Sequence, residues 1–260
     1  MEPIGLGRIK PRHMKVNFMP IACKDCPLRK RALFVPMTED EVAYMGRFKT
    51  GEMVVDPGTT ILMEGSNSPQ LYTVLSGMGI RYKTLEDGHR QVINFLLPGD
   101  FIGMQASLMG EMKHSVESTT SMVLCVFNRS EIWNMFKSHP SRAYDVTWIG
   151  AVEEHFLGET IATLGQRNAG QKIGWALLRL HARLSAVGME KSGGVPLAFR
   201  QQDLADALGL SLVHTNKTLA RLRDKGLVKW MGSWLHVADR AALADFCGVE
   251  NEALEPRPVM

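Results

Sequence analysis

Residues 201–222 constrain this chain more than any other stretch of their length. Leu204 and Leu208 lie about one helical turn apart and give a helix one apolar face. Ala205 is small enough to let a second helix cross closely. Gly209 stands where a tight turn needs a positive φ, a backbone state that costs glycine nothing. Leu210 plugs the turn, and Ser211 is a good N-cap, because its hydroxyl can accept an orphan N–H of the next helix. Leu219 and Leu222 return to the core. The pattern is that of a helix-turn-helix, whose second helix enters the major groove of DNA.

Two core positions of that second helix fall on Thr215 and Thr218. Their methyl groups can pack, and their hydroxyls are expected to bond back to backbone carbonyls. The outward face offers Leu212, Val213, Asn216 and Lys217 to base edges. Lys217 can donate to guanine O6 and N7, Asn216 can pair with adenine, and Val213 can touch a thymine methyl. Arg200, Ser211, His214 and Arg221 are candidates for phosphate contacts, which position without specifying.

The net charge of +3 over 260 residues is silent about such a partner until it is divided. Residues 165–236 carry eleven Lys/Arg against four acids, whereas residues 32–164 carry nine against sixteen. Residues 1–31 hold eight against two, and residues 237–260 two against five. An acidic body is thus joined to a basic module that contains the helix-turn-helix, the charge footprint of a polyanion binder. With 45% hydrophobic residues the chain can bury a real core, which excludes wholesale disorder.

Residues 1–35, with Pro3, Pro11 and Pro20 and no sustained periodicity, read as an irregular basic arm. Within residues 36–140, Thr38-Glu39-Asp40-Glu41 starts a helix, and short apolar runs then alternate with glycine turns from about Gly51 to Phe127. That texture predicts a small barrel or jelly roll. Asn128 or Ser130 caps a short helix that stops near Pro140. Residues 141–167 predict one helix of ~40 Å. Its Trp148, Ile149, Val152, Phe156, Leu157, Ile161 and Leu164 spread beyond one narrow stripe, so it is expected to pack on its own barrel and on another subunit. Residues 168–247 hold a helix from Ala169, a loop from Gly188 to Pro196, the helix-turn-helix, and two β runs flanking Gly232-Ser233 as a hairpin wing. Residues 248–260 read as a tail. The fold class is α+β.

Barrel, long helix and winged helix-turn-helix, in that order, resemble the CRP/FNR family of bacterial transcription regulators, and in particular its FNR/FixK-like branch. The resemblance runs from about Met37 to Cys247. It is carried by Gly58-Thr59-Thr60-Ile61 with Glu64-Gly65, by Leu71 to Gly77, by Pro98-Gly99-Asp100-Phe101-Ile102-Gly103, and by Asn168-Ala169-Gly170-Gln171-Lys172-Ile173 at the hinge. It implies a cyclic-nucleotide-binding-like barrel (jelly roll), a dimerisation helix, a homodimer on a palindromic operator of double-stranded DNA, and RNA polymerase as a partner. The family commonly has glutamate and arginine at the Val213 and Lys217 positions, so its usual half-site is not implied here.

Two further departures bear on the signal. Nucleotide-binding members place a glutamate after the pocket glycine, and an arginine and a serine further on. Here Gly103 and Ser115 fit, but Met104 and His114 take the glutamate and arginine slots, leaving ribose and cyclic phosphate without their partners. Met104, Met109 and Met112 are expected to fill the pocket, and no control by cAMP is expected. Cys23-Lys24-Asp25-Cys26 matches half of the FNR-type iron–sulfur signature. The third cysteine falls on Ala32, and the fourth at or beside Leu124, with Cys125 one residue off and expected on the opposite strand face. An iron–sulfur cluster, a zinc site completed by His13 or a partner subunit, a redox dithiol and no function at all stay open for Cys23 and Cys26. No cofactor is otherwise expected.

No G-x-S-x-G, H-E-x-x-H or P-loop occurs, and Gly77-Met78-Gly79 lacks the rest of a dinucleotide fingerprint, so an enzyme is not expected. No apolar run approaches the ~18 residues that span a bilayer. The expectation is a cytoplasmic, non-membrane, sequence-specific DNA-binding regulator, with small-ligand, redox or iron–sulfur sensing as the alternative.

Overall fold

The structure, a computed structural model, describes residues 20–251 and 253–260, so residues 1–19 of the arm lie outside the described residues. The rest of the arm is less irregular than expected. Two single 3-10 turns, Cys23–Asp25 and Leu28–Lys30, bring Leu28, Leu33 and Phe34 into a buried cluster. Helix α1 (Glu39–Phe48) starts at Thr38, whose hydroxyl accepts from the Glu41 N–H while the Glu41 carboxylate accepts from the Thr38 N–H.

The sensor domain is built from β1 (Lys49–Val55), β2 (Thr60–Leu62), β3 (Gln70–Ser76), β4 (Gly79–Thr84), β5 (Arg90–Leu96), β6 (Phe101–Ile102), α2 (Met104–Met109), β7 (Ser115–Ser118) and β8 (Met122–Asn128). The strands form two antiparallel four-stranded sheets, ordered β1-β8-β3-β6 and β2-β7-β4-β5. One cluster, with Val74, Leu96, Ile102, Met112, Val116, Met122 and Leu124, fills the barrel. A second lies outside the first sheet, where Leu75, Cys125 and Phe127 meet α1 and the arm.

Asn128 caps a 3-10 turn that leads into α3 (Ile132–Ser138). Helix α4 (Pro140–Gln166) follows, with proline at its first position, where the missing N–H costs no bond. The DNA-binding-type domain comprises α5 (Ala169–Ala186), β9 (Gly194–Pro196), α6 (Gln201–Leu208), α7 (Leu212–Asp224), β10 (Val228–Met231), β11 (Trp234–Val237) and α8 (Arg240–Cys247). Strand β9 lies in the stretch expected to be a loop. It pairs with β11, and so makes the two-stranded wing the outer part of a three-stranded sheet.

The two domains share one apolar cluster. Ile80, Val92, Phe95 and Leu97 of the sensor meet Leu177, Phe199, Leu204 and Leu208. The Phe95 and Phe199 rings lie 4.6 Å apart. The last segment packs back on the sensor. Arg257 bridges in parallel to Phe34, and Val259 and Met260 are buried in the cluster outside the first sheet. The reason is chemical: this segment carries two apolar side chains and a guanidinium, and the sensor surface offers both an apolar groove and the buried carboxylate of Asp100.

Candidate nucleic-acid interface

Helices α6 and α7 meet as the sequence requires. Leu204, Ala205 and Leu208 are buried, and Gly209 adopts φ 62° in the turn. The Ser211 hydroxyl accepts from the His214 N–H at 3.2 Å and fixes the start of α7. Thr215 and Thr218 are buried, but their hydroxyls have no hydrogen-bond partner, contrary to the expected bonds to backbone carbonyls. Their methyl groups therefore earn them their core positions, at the cost of two unpaired hydroxyls.

The opposite face of α7 is open. Val213 is 64% exposed, and Leu212, Asn216 and Lys217 are also exposed. Among the described residues no neighbouring element covers the four, so all can meet a groove edge together. Among the phosphate candidates His214 and Arg221 are exposed, while Ser211 is engaged as the cap. Arg200 is exposed but its guanidinium grips Asp203, with Nη2 donating to Oδ1 at 2.8 Å. The β10–β11 wing turns at Gly232, leaving Lys229, Met231 and Trp234 exposed beside the helices.

The sensor pocket positions separate in space. Gly103, at φ 98°, opens α2. Met104 packs against the outer cluster, Met109 is exposed, and only Met112 of the three methionines is buried in the barrel core, which corrects the expectation that all three fill the pocket. Burial, aided by the charges of Arg81 and Lys83, pushes His114 down to about 4, so it presents no cation at neutral pH. The Ser115 hydroxyl is spent accepting from the Glu64 N–H at 3.0 Å.

Cys125 lies on the strand face opposite Leu124, as its one-residue offset requires. Leu124 points into the barrel, whereas Cys125 points to the outer cluster and lines one pocket with Cys23 and Cys26. The face opposite the barrel interior is the one that carries the arm. Burial pushes the Cys125 thiol up to about 12 and also raises Cys23. These residues do not fit a four-iron cluster: three cysteines line the pocket, Ala32 stands where a further thiolate is needed, and the free space is about 30 Å³. Among the described residues, no group of three or more His, Cys, Asp or Glu side chains is arranged to hold a metal ion.

Comparison with known proteins agrees with this architecture. The chain matches the cyclic nucleotide-binding domain family over residues 52–139 and the Crp-like helix-turn-helix domain family over residues 171–246. The nitrogen fixation regulation protein FixK of Azorhizobium caulinodans is 31% identical over 175 residues, 66% of this chain and 69% of that protein. The FixK of Bradyrhizobium diazoefficiens is 29% identical over 225 residues, 84% of this chain and 91% of that protein. The chain belongs to the CRP/FNR family.

The solved structure of FixK2 from Bradyrhizobium japonicum shares the fold, with a TM-score of 0.68 at 24% identity, covering 75% of this chain and 95% of that one. This CRP/FNR regulator is thus a FixK-like DNA-binding transcription regulator. No helix among its described residues is long and apolar enough to cross a membrane.

Sequence reasoning missed the groups that join the two domains. The Arg90 guanidinium on β5 takes both Asp203 and Asp206 of α6, the latter at 3.1 Å. Asp100 takes Arg183 of α5 at 2.6 Å and Arg257 at 3.1 Å. Burial would raise the Asp100 carboxyl, but Arg183, Arg257 and Arg81 outweigh it and hold it down at about 2. No local pattern flags such pairs, because their partners lie far apart in sequence. Asp203, 0% exposed, lies between Arg90 of the sensor and Arg200 of its own helix cap.

Proposed function

We propose that this regulator acts in the cytoplasm as a homodimer, reading a palindromic operator with Leu212, Val213, Asn216 and Lys217 of each α7. The observation that carries the reading is the open face of a capped α7 within a basic domain. His214 and Arg221, exposed on α7, fit phosphate positioning; Arg200 and Ser211, already engaged with Asp203 and the His214 N–H, would do so with their remaining donors. Two-fold symmetry would set the two α7 helices in successive major grooves, ~34 Å apart.

Helix α4 supplies the support for the dimer. Val146, Ile149 and Thr163 are buried in their own chain, and Phe156 stacks on Trp175. Val152, Leu157 and Ile161 remain exposed, Ile161 by 70%. Gly150, Gly158 and Gly165 of α4 face open space, and each costs the helix roughly 1 kcal/mol relative to alanine. A second α4 would cover the apolar residues and use the low relief of the glycines. RNA polymerase is the further partner in keeping with the family.

With Met104 and a neutral His114 in the sensor, cAMP is not the signal. The test is selection of bound sites from random or genomic DNA by the purified protein. A shared palindrome with half-sites one helical turn apart is expected. Sites without two-fold symmetry, or a monomer in sedimentation at micromolar concentration, contradict the reading.

A further inference from the structure

Cys125 lies in a pocket that the DNA-binding reading does not use, and the chain closes that pocket with its own residues 257–260. The pocket wall joins Cys23 and Cys26 of the arm, Cys125 of β8, Thr73 of β3, and Val259 with Met260. The segment is held at four points. The Arg257 N–H donates to the Leu33 carbonyl at 2.8 Å, and the Val35 N–H donates to the Arg257 carbonyl at 2.9 Å. Arg257 Nη1 donates to Asp100 at 3.1 Å, and Thr73 Oγ1 donates to the Met260 carbonyl at 2.6 Å. Val259 and Met260 keep only 3% and 5% of their surface in solvent.

The free space beside the thiols is small, about 30 Å³. An adduct on Cys125 must push aside residues that line it, and Val259 and Met260 stand among them at the end of a segment held by few bonds. Seating of the segment and modification of the thiol oppose each other, and each weakens the other by the same factor. The segment also runs from α8 of the DNA-binding domain, and its Arg257 shares Asp100 with Arg183 of α5. Occupancy of the groove thus bears on how that domain sits against the sensor.

We propose that residues 257–260 are a gate over a thiol-modification site centred on Cys125, and that opening the gate loosens the DNA-binding domain from the sensor. The full chain is treated with iodoacetamide, in which the thiolate sulfur displaces iodide, a C–S bond forms, and the thiol proton passes to buffer. Labelling at each cysteine is followed by peptide mass spectrometry in the parent and in the Arg257→Ala, Met260→Asp and Thr73→Val variants. Cys247, buried in the DNA-binding domain outside this pocket, is the internal reference.

Gate variants are expected to label at Cys125 about tenfold faster, the scale of one lost buried hydrogen bond or ion pair, with Cys247 unchanged. Protein alkylated at Cys125 is expected to exchange amide hydrogens faster in β5 and α6, which face each other across the domain junction. Equal Cys125 rates in all proteins, or an equal rise at Cys247, overturn the gate. Unchanged exchange in β5 and α6 after alkylation overturns its link to the DNA-binding domain.

Discussion

Lys217 is the residue at which the proposed base reading is tested most directly. It is exposed on the open face of α7, and a lysine there can donate to both guanine acceptors. Lys217→Ala is expected to flatten the preference at one base pair per half-site and to cost about 1–3 kcal/mol of discrimination, measured by competition between matched and mismatched operators. Loss of affinity on all sequences alike would instead make Lys217 a phosphate contact. His114 sets a different expectation. Its ordinary value of 6.5 is depressed to about 4 by burial, so between those values the unfolded chain binds the proton that the folded chain refuses. Stability contributed by the neutral ring is present above pH ~6.5 and is lost as pH falls toward ~4, on the order of 3 kcal/mol. Urea unfolding across that range should show the slope, and His114→Leu should remove its histidine part.

At the scale of the element, α4 packs some of its apolar residues on its own chain and leaves others exposed, Ile161 among them. Ile161→Glu sets a charge on the exposed side, and it should shift sedimentation from dimer to monomer while the far-UV circular dichroism of each subunit is retained. A persistent dimer would place the interface elsewhere. Helix α7 depends on its cap. With Ser211→Ala the His214 N–H loses its partner, and the domain should lose about 1 kcal/mol in thermal unfolding. The strand β9 shows what element-scale reading overlooks. Three residues, Gly194–Pro196, hold too few side chains to show alternation, and only the edge of β11 makes them a strand.

At the scale of the whole molecule, the sensor and the DNA-binding domain are held together by apolar packing around Phe95 and Phe199 and by two charge nodes of opposite sense. In one, a sensor arginine takes two carboxylates; in the other, a sensor carboxylate takes two guanidiniums. Arg90→Met removes the first node while Arg200 still pairs with Asp203. It should leave each domain folded and raise hydrogen exchange across β5 and α6. If exchange there is unchanged, apolar contact alone holds the junction.

The helix-turn-helix was legible in the sequence because its requirements are local: Gly209 for the turn, Ser211 for the cap, and leucines one turn apart. The barrel was legible for the same reason, through strand-length runs and glycine turns. The exposed residues of α7 followed from helical periodicity, since a helix with one buried face must turn the other outward. What Cys125, Asp100 and residues 257–260 meet was not legible. Which face of β8 counts as inside depends on a second layer formed by the arm, and the last segment acquires structure only from a groove made by residues more than a hundred positions earlier. Periodicity along a chain determines which side chains share a face; what that face meets is decided by the tertiary fold, because burial is a property of the packed molecule and not of the segment.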